Sequence, residues 1–431
     1  MADPFAFPEG SFLLHDGPKF QVAARDQGSD VLFVTFAERK EPKPADFFGL
    51  SFLGKEKLSY VAVRSLDNDW YLGPEMGEVL AAVQEGRKRI AHRRFFLFGY
   101  SMGSFGAIST ANLLNPDRII IGGPIAVLDP SFERRWLSDY ESLLGDYDAR
   151  AGEILPWRKP YDTIAIFDPQ SQDARHVAVL QESTCVHALH IAGAGHMVLT
   201  YLRDSGVLGT VMRLMIQPEP DMTAITAVIH NARKTNRAYL LGLAGRLDRR
   251  PALKARVIGH ARRALPEDLD VQLAQAAFVA SSGEIKAAAT MINGVVGRWG
   301  ARCFGVALGK AIVAVAAAGG SASDIGPAVA LFSGDRPRSR EVQLWYARFL
   351  RHTGDFDAAY DAHEMFMTGD PFEAHAHMER GLILERLGLL RAARDSFRRA
   401  MELAPLYKPG EQNYLRLMKR IEIESRGAGK K

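Results

Sequence analysis

The 431-residue sequence predicts an α/β unit, a doubly wound and mostly parallel sheet, followed by an all-helical array of repeats. Three observations carry that prediction. Short β-branched and aromatic runs alternate with helical segments as far as about residue 215. From about Thr223 the strand signal disappears, and Ala, Arg, Leu and Gly recur at helical spacing. Within that second half, glycines and prolines return every 34 residues.

The strands come first. Asp30–Phe36 is an apolar, β-branched run read as a buried strand, and Leu58–Val63 is a second. Tyr71–Ala91 reads as a helix with Pro74 in its first turn. Arg94–Gly99 is a third strand, followed at once by a glycine-rich turn and a helix to Leu114. Arg118–Gly122, Thr163–Phe167 and Val186–Ile191 complete six. Runs that are apolar on both faces belong to a parallel sheet covered on both sides. The polar stretch Asp129–Trp157, with Phe132, Trp136, Tyr140 and Tyr147, interrupts the rhythm. It reads either as a cap over one end of the sheet or as a plain crossover helix.

In the helical half, Gly320, Gly354 and Gly388 are 34 residues apart, as are Pro337, Pro371 and Pro405. Gly381, Leu384, Gly388, Ala393, Phe397 and Ala400 answer to Ala347, Leu350, Gly354, Ala359, His363 and Phe366. The pattern resembles the tetratricopeptide repeat (TPR), in which small residues let paired helices approach and proline ends the second helix. It extends upstream with altered spacing through Pro266, Ala276, Val279, Gly283 and Ala288, giving about five helical hairpins over residues 230–424. Leu406–Glu424 reads as the capping helix a solenoid requires. The expected organisation is an α/β domain over 1–217, a TPR-like domain over 223–424 and a flexible tail over 425–431, with Pro218 and Pro220 at the break.

Composition excludes several classes. A net charge of +4, from 54 basic and 50 acidic residues, is too small and scattered to argue for nucleic acid. Cys185 and Cys303 make neither a disulfide framework nor a zinc site and read as buried, inert thiols in a reducing compartment. The longest apolar run, Ile312–Ala318, is far below the ~20 residues that span a bilayer. The N-terminus lacks the pattern of a signal peptide, so a cytoplasmic location is expected. Neither G-x-x-x-x-G-K-[ST] nor G-x-G-x-x-G occurs, and no cofactor or metal is implied.

The chemistry lies in Gly99-Tyr-Ser-Met-Gly103, a G-x-S-x-G between an apolar strand and a helix. A serine on so sharp a turn needs strained dihedrals, and bulky side chains two residues either side would clash. Ser101 is the candidate nucleophile. Its base is His196, in the loop Gly193-Ala-Gly-His-Met197 beyond the last strand; His187 and His190 lie within that strand and His176 at a helix start. The orienting acid falls between them in the chain, and two carboxylates stand there. Asp168 sits directly at a strand's carboxyl end and is preferred; Asp173 is the alternative, otherwise read as a helix N-cap. An oxyanion hole needs two backbone N–H groups, here Met102 and either Ala37 or Phe36 from the loop after the first strand.

Residues 30–215 thus resemble the α/β-hydrolase superfamily, with serine, aspartate and histidine in that order. Asn68-Asp-Trp-Tyr71 with Glu75-Met76, together with the run Gly99–Ala107, is similar to a bacterial branch linked to surface carbohydrate, which includes the accessory Sec glycan O-acetyltransferases. Trp70 and Tyr71 read as core residues at a helix start in preference to substrate contacts. The long Phe167–His176 loop departs from the superfamily, lacking its usual Gly-x-x-Asp turn. The resemblance implies a serine esterase or an acyltransferase on an acyl ester, with carbohydrate as one possible carrier. The TPR likeness implies a protein or peptide partner. A non-catalytic scaffold with a vestigial hydrolase half is the competing expectation; the intact Ser101, Asp168 and His196 set weighs against it.

Overall fold

The computed structural model describes residues 10–40, 46–334, 338–367, 374–403 and 408–428. The chain falls into two compact units, Met1–Gly242 and Leu243–Lys431. The divide lies beyond the break expected at 217–223, because Ile225 and Ile229 are buried in the core of the first unit.

The first unit is an eight-stranded sheet in the order β1-β2-β4-β3-β5-β6-β7-β8. The strands are β1 Phe12–Asp16, β2 Phe20–Arg25, β3 Val31–Phe36, β4 Ser59–Ser65, β5 Arg94–Tyr100, β6 Arg118–Gly122, β7 Asp162–Phe167 and β8 Val186–His190. From β4 through β8 all pairings are parallel; β2 runs antiparallel to both β1 and β4. The hairpin β1–β2 adds two strands to the six read from sequence. Every residue of β3, β4 and β6 is buried, as a sheet covered on both faces requires.

Helices α1 Leu50–Lys55, α2 Met76–Arg89, α3 Met102–Leu114, α4 Leu137–Tyr140, α5 Leu144–Ile154, α6 Asp173–Gln181, α7 Val198–Asp204, α8 Leu208–Met215 and α9 Met222–Ala232 belong to this unit. Two apolar clusters sandwich the sheet, one carrying Leu32, Val34, Leu97 and Phe105, the other Phe33, Phe96, Ile120 and Leu202. This mostly parallel sheet with flanking helices is consistent with an α/β-hydrolase-like fold. Helix α2 begins five residues later than expected. Trp70 and Tyr71, both fully buried, precede it with φ of +54° and +53°, in a left-handed turn. Their rings are core residues: Trp70 packs on Phe105, Trp136 and Tyr140, and Tyr71 stacks on Phe20. Cys185 is exposed, in the turn before the edge strand β8, which corrects its reading as a buried thiol.

After α10 Arg237–Gly245, the second unit is all-helical among the described residues: α11 Pro251–Ala264, α12 Leu269–Ser281, α13 Ile285–Trp299, α14 Val306–Ala317, α15 Gly326–Ser333, α16 Arg340–Thr353, α17 Phe356–Met367, α18 Ala374–Arg386, α19 Leu390–Leu403 and α20 Lys408–Ala428. The hairpins α16–α17 and α18–α19 start 34 residues apart, matching the sequence period. Gly354 and Gly388 have φ of +91° and +79°, the left-handed conformation that ends a helix. Gly381 has a different reason: a Cβ there would sit 2.5 Å from the Phe397 ring, so its smallness lets α18 and α19 approach. At the third glycine of the series the register slips by one, since Gly319 takes the positive φ. Pro337, Pro371, Pro405 and Leu406 lie outside the described residues. Helix α20 continues to Ala428, into the stretch expected as a tail. No described helix is long and apolar enough to cross a membrane.

Candidate active site

The turn from β5 to α3 is as tight as the G-x-S-x-G spacing demands. Ser101 has φ +55° and ψ −123°, a conformation L-residues rarely adopt. Its N–H donates to Gly122 O at 3.0 Å, and Ser104 donates from its hydroxyl to Ser101 O at 2.6 Å. The same hydroxyl accepts from Ile125 N at 2.9 Å, tying the turn to the chain beyond β6. A Cβ on Gly99 would collide with the Gly103 carbonyl, and one on Gly103 with the Phe36 carbonyl. Both obstacles are backbone and cannot swing aside. Gly103→Ala should therefore destabilise the unit by about 3 kcal/mol or more, read from chemical denaturation. An unchanged midpoint would contradict this packing.

His196 comes to the serine from the β8–α7 loop. Its Nε2 lies 2.8 Å from Ser101 Oγ, and its Nδ1 is 3.1 Å from each oxygen of Asp173. The ring stacks on Tyr100, with centroids 5.7 Å apart, and Tyr100 donates its hydroxyl to His196 O. Gly123, at φ +52°, leaves the ring its space, since a Cβ there would meet His196 Cε1 at 2.9 Å.

The two candidate acids exchange their expected places. Asp168 is buried but turned to the histidine loop, accepting from Gly193 N and Gly195 N at 2.9 Å and from Gln170 N at 2.9 Å. Asp173 faces His196. It is the first residue of α6, behind Gln172, and caps nothing. A position at the strand end brings Asp168 against backbone, while five residues more of chain carry a carboxylate back over the imidazole. Burial would raise the Asp173 carboxyl, but the hydrogen bond and charge of His196, joined by Arg135, hold it below the usual range.

The segment 129–157 lies against this site. Trp136 packs on the His196 ring at 4.8 Å between centroids, and Arg135 pairs with Glu133 at 2.6 Å and Asp173 at 2.7 Å. Despite complete burial, hydrogen bonds from His176 and Arg135 keep Glu133 ionised down to about 2. Glu133, Arg135 and Ser104 were not picked out in the sequence, because charged and hydroxyl side chains in a polar stretch or an ordinary helix turn carry no distinguishing period.

Among the oxyanion donors expected, the Met102 N–H has no acceptor among the described residues. Ala37 N–H donates to Val63 O at 3.0 Å and is already committed; Phe36 ends the β3 ladder. Glu38, next along, has no acceptor for its N–H among the described residues. Tyr71 donates its hydroxyl to Ala37 O at 2.7 Å and steadies this loop. Glu38 also borders a cavity of about 180 Å³ walled by Phe48, Phe52, Phe98, Leu199 and Met212. Burial pushes its carboxyl up, against the pull of Lys40, His196 and Arg203. Among the described residues no cluster of three His, Cys, Asp or Glu is placed to hold a metal.

No family model and no curated protein matches the chain. Among solved structures, the capsule O-acetyltransferase of Neisseria meningitidis serogroup A is 14% identical, over 49% of this chain and 97% of that one, with a TM-score of 0.39. An α/β serine hydrolase without a lid from Xanthomonas campestris, XC6422, is 16% identical over 49% and 99%, with a TM-score of 0.31. A glycosylation-associated protein complex from Streptococcus agalactiae is 16% identical over 49% of this chain and 47% of that chain, with a TM-score of 0.36. Likenesses of this order specify no reaction, and the chemistry is read from the site's own atoms.

Proposed function

We propose that the N-terminal unit is a serine enzyme of acyl transfer, an esterase or O-acyltransferase, with Ser101 as nucleophile, His196 as base and Asp173 as orienting acid. One observation carries the reading: a serine at φ +55° on a strand-to-helix turn has its Oγ 2.8 Å from His196 Nε2, while Nδ1 faces a buried carboxylate. With the Nδ1 proton donated to Asp173, Nε2 is free to accept from Oγ. Oγ then bonds the acyl carbon of an ester, and the imidazolium returns its proton to the leaving alkoxide. Water or a second alcohol, deprotonated by the same nitrogen, releases the acyl group and restores Ser101. The Met102 N–H and the Glu38 N–H are the donors we assign to the developing oxyanion. The cavity beside Glu38 has room for a short apolar acyl chain. We assign the helical unit, on its 34-residue recurrence, to a TPR-like role of receiving a protein or peptide partner.

The test is to treat the full chain with a fluorophosphonate and map the adduct by mass spectrometry. One adduct, on Ser101, is expected; a protein that stays unlabelled, or is labelled elsewhere, sinks the reading.

A further inference from the structure

Arg135 stands between two carboxylates whose side chains are 0% exposed. Its Nε lies 3.0 Å from both oxygens of Glu133, and its Nη2 donates to Oε2 at 2.6 Å. Its Nη1 donates to Asp173 Oδ1 at 2.7 Å and comes within 3.4 Å of His196 Nδ1. Glu133 is fixed from behind. His176 donates from Nε2 to it at 3.0 Å, a tautomer set by Nδ1 accepting from Ala126 N at 3.0 Å. The guanidinium is thus held in place by the segment that covers the site, independently of His196.

This position opposes the base in two ways. An imidazole that takes the serine proton becomes a cation beside another cation, and like charges at this distance disfavour each other. Nη1 also competes for Asp173 Oδ1, so the carboxylate is shared and does not serve His196 alone. We propose that Arg135 is a positioning residue through which the segment 129–157 restrains the Asp173–His196 couple, holding acyl transfer below what the couple alone would support. The inference rests on the reading of Ser101 and His196 given above. Among the described residues, the charged and titratable groups around the imidazole are Asp173 from α6, Arg135 from the segment, Tyr100 from β5 and Glu38 from the loop after β3, with Glu133 behind Arg135. Lys40 and Arg203 act on Glu38. Only the Glu133–Arg135 pair is altered in the test.

The rate of fluorophosphonate labelling of the full chain is followed against pH. Three variants join the wild type: Arg135→Lys, Arg135→Gln, and the double change Glu133→Gln with Arg135→Gln. The double variant removes both charges together, so Glu133 is not left as an unpaired buried carboxylate, and Asp173 keeps its hydrogen bond from His196. Thermal melting accompanies each profile. In the variants without the guanidinium, the maximal rate of labelling should rise by about tenfold or more, while Arg135→Lys stays near the wild type. A merely structural role would lower that maximal rate or leave it unchanged. That outcome, in protein that labels on Ser101, overturns the inference alone. Wild-type protein that never labels on Ser101 overturns the acyl-transfer reading and the inference with it.

Discussion

Ser101→Ala should lower turnover of an activated ester by about 10⁶ and abolish fluorophosphonate labelling. The magnitude follows from the site's dependence on one oxygen. Without Oγ, His196 Nε2 keeps its place but has no nucleophile within 2.8 Å, and only water could attack. Stability should change little, within about 1 kcal/mol. The strained backbone at φ +55° is retained, and the hydrogen bonds that hold the turn run through main-chain atoms and Ser104. Full turnover in this variant, measured beside a melting curve, would remove the serine from the mechanism.

The second large effect separates the two acids. Asp173→Asn should reduce turnover by about 10⁴, because an amide facing Nδ1 favours the tautomer that puts the proton on Nε2, where it blocks acceptance from Oγ. Asp168→Asn removes an acceptor from a carboxylate that takes three backbone N–H bonds. It should cost about 1–3 kcal/mol of stability and at most about 10² in turnover, through a displaced histidine loop. Equal losses from the two changes, with melting unaffected in both, would show that neither carboxylate is distinguished by its place.

Much of this was legible in the sequence because it depends on local pattern. Six strands announced themselves as apolar runs, and the serine turn needed only two glycines and its strand–helix setting. The hairpin β1–β2 escaped because its strands are short and mixed, with His15, Asp16, Gln21 and Arg25 interrupting the apolar signal. Position along the chain favours Asp168, whereas it is Asp173 that lies against His196 Nδ1, since chain order says which residues stand near a strand end but not where a loop turns back. Ala37 stands in the loop where an oxyanion donor is expected, but its N–H donates to the Val63 carbonyl, a pairing that chain order does not encode. Arg135 was invisible for a different reason: it reaches Asp173 across 38 residues and His196 across 61, a separation no local pattern encodes.

Asp168 and Asp173 leave the same strand end five residues apart, one anchoring the loop that bears His196 and the other addressing its ring. The intervening peptide is therefore a ruler. Its length, together with the Ser171 hydroxyl that donates to Asp168 O and accepts from Asp173 N, converts the position of β7 into the aim of a carboxylate. A single residue inserted or removed would leave the loop anchored and turn the acid away. In descendants of this chain, the stretch should keep its count and the hydroxyl at position 171.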